Sequence, residues 1–207
     1  MIPAAAGTLA GAAAPPITDR AWFDRPAVEV APDLLGCLLV HDAPDGRVMG
    51  RIVEVEAYQG PEDLAAHSAR GMTARNAVMF GPAGHLYVYL IYGLHHCANV
   101  VCGPGPKPEA VLLRAAHIVE GLDLARARRG DVPDPRLAAG PGNLGAAFGI
   151  DRSLNGTDLL GGPIRLARGE RPARIERSAR IGVDYASDWA GRPLRFSIAD
   201  DPRRSRR

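Results

Sequence analysis

The chain has 207 residues, 46% hydrophobic and 23% charged, a globular composition long enough to bury a full core in one domain. Its formal net charge of +2 excludes a bulk polycation that coats nucleic acid indiscriminately. The three cysteines, Cys37, Cys97 and Cys102, lack a paired Cys-x-x-Cys spacing, which argues against a disulfide framework or a structural zinc and for a reducing compartment.

Charge is unevenly spread. Residues 1–150 carry 12 basic against 15 acidic side chains, and residues 151–207 carry 13 against 8, so a balance of −3 gives way to +5. Among the 25 basic residues only Lys107 is lysine. Residues 1–19 are rich in Ala and Pro, hold no Lys or Arg to start a secretory signal, and read as a disordered leader. No apolar run reaches the length of a membrane span. The expected organisation is that leader, one domain over 20–200 and a basic tail over 201–207, in a cytoplasmic, non-secreted monomer with no membrane partner.

Along the chain, Leu34 to His41 reads as an apolar strand or short helix, and Asp45-Gly46 supplies the turn of a hairpin into the next strand. That strand contains Arg51 to Tyr58. Regular alternation places Ile52, Glu54, Glu56 and Tyr58 on one face and Val53, Val55 and Ala57 on the other. Two nearby acids belong either to a solvated, salt-bridged edge strand or to a site that pairs them for a reaction. Gly60 to Pro82 is a polar, Gly/Pro-punctuated loop presenting His67, Arg70 and Arg75. His85 to Ile91 and Leu94 to Cys102 are strands joined by a tight turn at Tyr92-Gly93.

Ala110 to Ala115 is a further strand, Ile118 to Arg129 has helical spacing, and a second helix starts near Pro141. Arg174 to Gly182 and Leu194 to Ile198 are late strands. Hairpins with scattered helices, among them the hairpin that carries Tyr92-Gly93, favour an α+β fold over a doubly wound parallel sheet.

Tyr58, Tyr87, Tyr89 and Tyr92 are four of the chain's five tyrosines and lie close to Glu54, Glu56, His67 and Asn99 in sequence. Tyr87 suits a core position. Tyr92, at a hairpin tip, is either a wedge for insertion between base pairs or a turn aromatic packed on a neighbouring loop. Glu54, Glu56, His67, His95 and His96 lack metal-ligand spacing, because adjacent His95 and His96 point oppositely on a strand.

The segments Val53-Glu-Val-Glu-Ala-Tyr-Gln-Gly-Pro-Glu-Asp63, Ala66-His-Ser68, His85-Leu-Tyr-Val-Tyr-Leu-Ile-Tyr-Gly93, Cys97-Ala-Asn99 and Val111-Leu-Leu-Arg-Ala115 together resemble the alkyladenine (3-methyladenine) DNA glycosylase family. The likeness continues in order through Gly140-Pro-Gly-Asn-Leu144 and Arg180-Ile-Gly-Val183 to Arg192-Pro-Leu-Arg-Phe196. It implies an α+β fold, a single mixed domain around a curved antiparallel sheet with a protruding β-hairpin, and a monofunctional hydrolase of base-excision repair. Such an enzyme flips alkylated or deaminated purines out of double-stranded DNA, with neither metal nor organic cofactor, working at the nucleoid. By the resemblance, Glu56 is the general base, and Arg114 and the Ile181 carbonyl help to hold its water. Tyr58, His67 and Tyr89 sandwich the base, Asn99 lies at the pocket floor and Leu112 on its wall. Tyr92, with Leu94, His95, Arg75 and Arg70, meets the DNA. Val55 stands where the family commonly has Thr, and the leader and Arg203 to Arg207 have no counterpart in the resemblance. A non-catalytic nucleic-acid-binding domain and a metal-dependent hydrolase are the competing classes.

Overall fold

A computed structural model describes residues 14–105 and 107–205. The expected leader lies outside the described residues as far as residue 13. Beyond that point it is built into the fold. Ile17 is buried in the main core, and its N–H donates to the Leu166 carbonyl at 2.9 Å.

The architecture is α+β, one domain around a curled antiparallel sheet. Its strands are β1 (Leu38–Ala43), β2 (Gly46–Tyr58), β3 (Leu86–Ile91), β4 (His95–Cys102), β5 (Glu109–Glu120), β6 (Ile164–Ala167), β7 (Ile175–Ser178) and β8 (Arg195–Ile198). The main path runs β3-β4-β5-β2-β1-β6, and β8 also pairs with β2 and carries β7. Helices α1 (Ala27–Leu34), α2 (Leu122–Arg129) and α3 (Pro141–Phe148) pack against it. The β1–β2 hairpin turns at Pro44-Asp45, one residue earlier than the Asp45-Gly46 expected, since Ala43 and Gly46 already pair.

β2 organises the rest. Its first half pairs with β1, and its second half pairs with β8 through Glu54, Val55 and Glu56. Between the halves the pleat changes phase. Ile52 joins the apolar core together with Val55 and Ala57, a three-residue step that regular alternation does not allow. The expected shared face of Ile52 with Glu54 and Glu56 is therefore corrected. Pairing with β5 shifts register on both sides of Glu54, and β5 makes the matching step, with Leu113 and Ala116 both in the core. Such irregularities bend a strand and increase its twist, which curls the sheet here.

Two boundaries also differ from expectation. Ile118 to Glu120 belong to β5, not to a helix, because Ile118 pairs with Gly50 and Glu120 with Met49. Gly121 then turns the chain at φ +76°, where a Cβ would lie 2.2 Å from the Arg47 carbonyl oxygen, and α2 follows. The strand expected over Arg174 to Gly182 covers only Ile175–Ser178. The remainder leaves the sheet and runs past the site.

α3 fixes the protruding β3–β4 hairpin. It begins at Pro141, as its fixed φ favours, and its buried Leu144, Ala147 and Phe148 face the core. A Cβ at Gly145 would stand 2.2 Å from the His96 carbonyl oxygen, so helix and strand touch backbone to backbone. Gly145→Ala is expected to separate α3 from β4 and cost about 1–3 kcal/mol. An unchanged urea midpoint would contradict this contact.

Candidate active site

The sheet's curl leaves a cavity of about 430 Å³ between β3–β4, β5, the 58–80 loop and the 181–185 segment. Tyr58, His67, Arg75, Tyr89, Tyr92, His95, Asn99, Leu112, Arg114 and Ile181 all line it. These residues are distant in the sequence, and the fold brings them to one cavity. Arg70 is exposed and Leu94 is 79% exposed at the hairpin tip, both outside this lining.

Glu56 lies beneath the cavity, wholly buried. Its Oε2 accepts from the Tyr58 hydroxyl at 3.0 Å and from Arg114 Nη1 at 3.1 Å. Its Oε1 accepts the Ile181 N–H at 2.8 Å. That contact is to the Ile181 amide, whereas the resemblance assigns a role to its carbonyl. Each carboxylate oxygen has two acceptor positions, so Oε1 retains one. Glu54 is more fully occupied. Its Oε1 accepts from Arg114 Nε at 3.2 Å, Arg195 Nη1 at 3.3 Å and Ser205 Oγ at 2.8 Å, and its Oε2 accepts the Ser205 N–H at 2.5 Å. Two buried carboxylates thus meet two arginines, which keeps the burial of charge affordable. Burial opposes the Arg114 charge, but Glu56 and Glu54 outweigh it and hold the guanidinium above its ordinary pKa.

The aromatic walls are fixed from behind. His67 Nδ1 lies 2.9 Å from the Tyr87 hydroxyl, and the His67 and Tyr89 rings meet edge to face at 4.5 Å. Burial of its ring first, and Arg75 second, lower the His67 pKa and so favour its neutral form. Burial and neighbouring Glu56 raise the Tyr58 hydroxyl well above its usual value, and burial likewise raises Tyr89. Tyr87 is a core residue, as expected, and also the anchor for His67 and, through its carbonyl, for Asn99 Nδ2 at 3.1 Å.

Behind Tyr58 stands Arg180, its guanidinium 4.6 Å from the ring centroid. Arg180 forms a fully buried pair with Asp63 at 2.5 and 2.8 Å and donates to the Ala57 carbonyl at 3.0 Å. Sequence reasoning gave neither residue a role. The available signal was an acid in a loop and an Arg just before Ile181, which becomes a pair only in three dimensions. Asn76 was also missed: buried, it donates to the His67 and Gly71 carbonyls at 2.8 and 3.0 Å and thereby shapes the loop that carries His67.

Tyr92 projects from the hairpin tip, 85% exposed, so packing on a neighbouring loop is excluded. Its φ of +54° and that of Gly93, +69°, place both in the left-handed region. His95 lines the cavity and sits so near Gly142 that a Cβ there would approach it to 2.8 Å. Among the described residues no three His, Cys, Asp or Glu side chains converge as a metal-ligand set.

The methylpurine-DNA glycosylase family profile matches residues 21–202. The chain belongs to that family. It is 50% identical to a protein of Streptomyces avermitilis across 90% of this chain and 89% of that one. A protein of Methanoculleus marisnigri is also 50% identical, across 90% and 97%, and one of Corynebacterium efficiens is 49% identical, across 87% and 91%. Each of the three bears the name "Putative 3-methyladenine DNA glycosylase". Members of this glycosylase family are hydrolases of DNA repair, which places the chain among enzymes. No helix among the described residues is long and apolar enough to cross a membrane.

Arg180→Met is expected to destabilise the glycosylase by about 3–5 kcal/mol, because it leaves Asp63 buried and unpaired. The double variant Arg180→Met/Asp63→Asn should recover part of that loss in chemical denaturation. Strict additivity of the single changes would contradict the coupling.

Proposed function

We propose that this chain excises alkylated or deaminated purines, 3-methyladenine among them, from double-stranded DNA. It flips the nucleotide into the cavity and hydrolyses the N-glycosidic bond with a water activated by Glu56. The observation that carries this reading is a buried carboxylate with a spare acceptor position, directly beneath a cavity walled by neutral aromatic rings.

Tyr92 enters the stack as the nucleotide leaves it. Extruding a base costs a few kcal/mol, least where pairing is already poor, so damage is favoured before any chemistry. Stacking between Tyr58 on one side and His67 and Tyr89 on the other returns roughly 1–3 kcal/mol per base. A cationic alkylpurine gains further from the tyrosine faces, and a neutral His67 adds no repulsion. Asn99 at the floor excludes the guanine 2-amine, and Leu112 closes the wall. Arg75 and His95 flank the opening, where phosphates pass.

In the reaction, a water held by Glu56 Oε1, Arg114 and the Ile181 carbonyl attacks C1′ of the sugar. The C1′–N9 electron pair leaves with the purine, and the water proton passes to Glu56. A cationic base departs neutral, whereas a neutral lesion takes up a proton as the bond breaks. The products are a free base and an intact abasic strand.

The first test is Glu56→Gln, which keeps the shape and removes the base. Excision from a duplex with one defined lesion should fall by about 10²–10⁴ while duplex binding survives; excision near the wild-type rate would sink the assignment. Glu54→Gln should cost less. The second test concerns the absence of lyase chemistry, which needs an amine to form a Schiff base. Lys107 is the chain's only lysine, lies outside the cavity, and is paired with Glu109 at 2.9 Å, a contact that raises its pKa and keeps it protonated. Borohydride added during turnover should trap no enzyme–DNA adduct. An adduct accumulating in step with base release would overturn the hydrolytic reading.

A further inference from the structure

Of the basic end expected as a tail over 201–207, residues 201–205 are docked against the site, and 206 and 207 lie outside the described residues. The family profile stops at residue 202, but the chain continues, and Ser205 reaches Glu54 and Arg114. Arg204 pairs with Glu176, and its carbonyl accepts from Arg136 Nη1 at 3.2 Å. These ties bring Ser205, which is not among the cavity's lining residues, to the Nε and Nη2 edge of the guanidinium.

The contacts of Ser205 are specific. Its N–H donates to Glu54 Oε2 at 2.5 Å, and its hydroxyl donates to Glu54 Oε1 at 2.8 Å. The same hydroxyl oxygen accepts from Arg114 Nε at 3.3 Å and from Arg114 Nη2 at 3.1 Å. One oxygen therefore takes both donors on one edge of the guanidinium. The guanidinium is planar and rigid, so holding that edge sets the direction of Nη1. Nη1 is the donor that bonds Glu56 at 3.1 Å.

We infer that Ser205 and Glu54 form a clasp that positions Arg114 for Glu56, so that the segment after Pro202 completes the catalytic site. The inference rests on the reading of Glu56 as the base. Ser205 is not among the residues that line the cavity, and it acts only through Arg114. Glu54 has the complementary part. It accepts four bonds, three of them at Oε1, and it faces a separate pocket shared with Ser205 and Arg195 rather than the aromatic cavity, so it is an anchor rather than a second base. This accounts for two carboxylates on one strand face with different environments. Without Ser205, Arg114 keeps its bonds to Glu54 and Glu56 but loses the two from its Nε and Nη2 edge to the hydroxyl, which loosens the aim of Nη1 at Glu56.

The test compares wild type, Ser205→Ala, Ser205→Thr and a chain ending at Pro202. Two readouts are used: single-turnover excision of hypoxanthine from a duplex, and binding to a duplex carrying a reduced abasic site. Ser205→Ala is expected to lower the excision rate about tenfold, the value of a hydrogen bond to a charged group. Duplex binding should stay within about twofold. Ser205→Thr, which keeps the hydroxyl, should restore most of the rate. The truncated chain should lose at least as much as Ser205→Ala.

Full excision rates in both Ser205→Ala and the truncated chain overturn the clasp. So does a loss of rate and binding together that Thr does not rescue, since that marks a general loss of structure. Side-chain nitrogen-15 NMR reads the clasp without turnover. The Arg114 Nε–H should exchange slowly in wild type and Ser205→Thr and quickly in Ser205→Ala, and equal exchange in all three also overturns the clasp. If wild type releases no base while this exchange pattern holds, the reading of the site fails and the clasp stands.

Discussion

The Arg114 guanidinium between Glu54 and Glu56 is the constraint on which the rest of this protein depends. Buried carboxylates two residues apart repel each other and lose hydration, and a nearby cation must offset both effects. Arg114 supplies it from β5, the long neighbour of β2. The pairing of these two strands therefore has to be correct to the residue. Much of the remaining architecture fixes that register: β8 covers the free edge of β2 at Glu54 to Glu56, and the 138–140 segment binds the backbone of β5 around Arg114 before α3 begins.

The same economy governs the cavity walls. Each aromatic surface has a polar group behind it that fixes its orientation: Arg180 behind Tyr58, the Tyr87 hydroxyl on His67, and Arg75 5.4 Å from the Tyr89 ring centroid. The rings are thus oriented before any base arrives, and little side-chain entropy remains to be lost on binding. Cations already behind or beside these rings compete for their electron density, so a cationic base gains less from them than from isolated tyrosines.

How far the sequence could be read depended on whether a feature is local. Alternation in His85 to Ile91, the turn at Tyr92-Gly93 and the start of α3 at Pro141 are encoded within a few residues, and all three are present. The residues assigned to the pocket by likeness to a family also converge on one cavity. Ile118 to Glu120 misled because Ile118, Leu122 and Ala125 are spaced for a helix while Ile118 pairs in a strand. The phase change at Val53, the Asp63–Arg180 pair and the docking of Ser205 all join partners distant in the chain, or depend on a neighbouring strand. Short-range patterning carries no trace of them.

The phase change in β2 separates two properties that usually travel together. Removing Val53 from β2 and one residue, Ala115, from β5 would leave the order of inward and outward side chains unchanged, with Glu54 and Glu56 still opposite Val55 and Ala57. What would vanish is arc length. The ladder would straighten, β2 would have less reason to exchange β1 for β8, and Glu56 would lose its aim at the Ile181 N–H. For this fold, a change in residue count at one point is a graver edit than most changes of residue identity, because curvature here is stored in spacing rather than in chemistry.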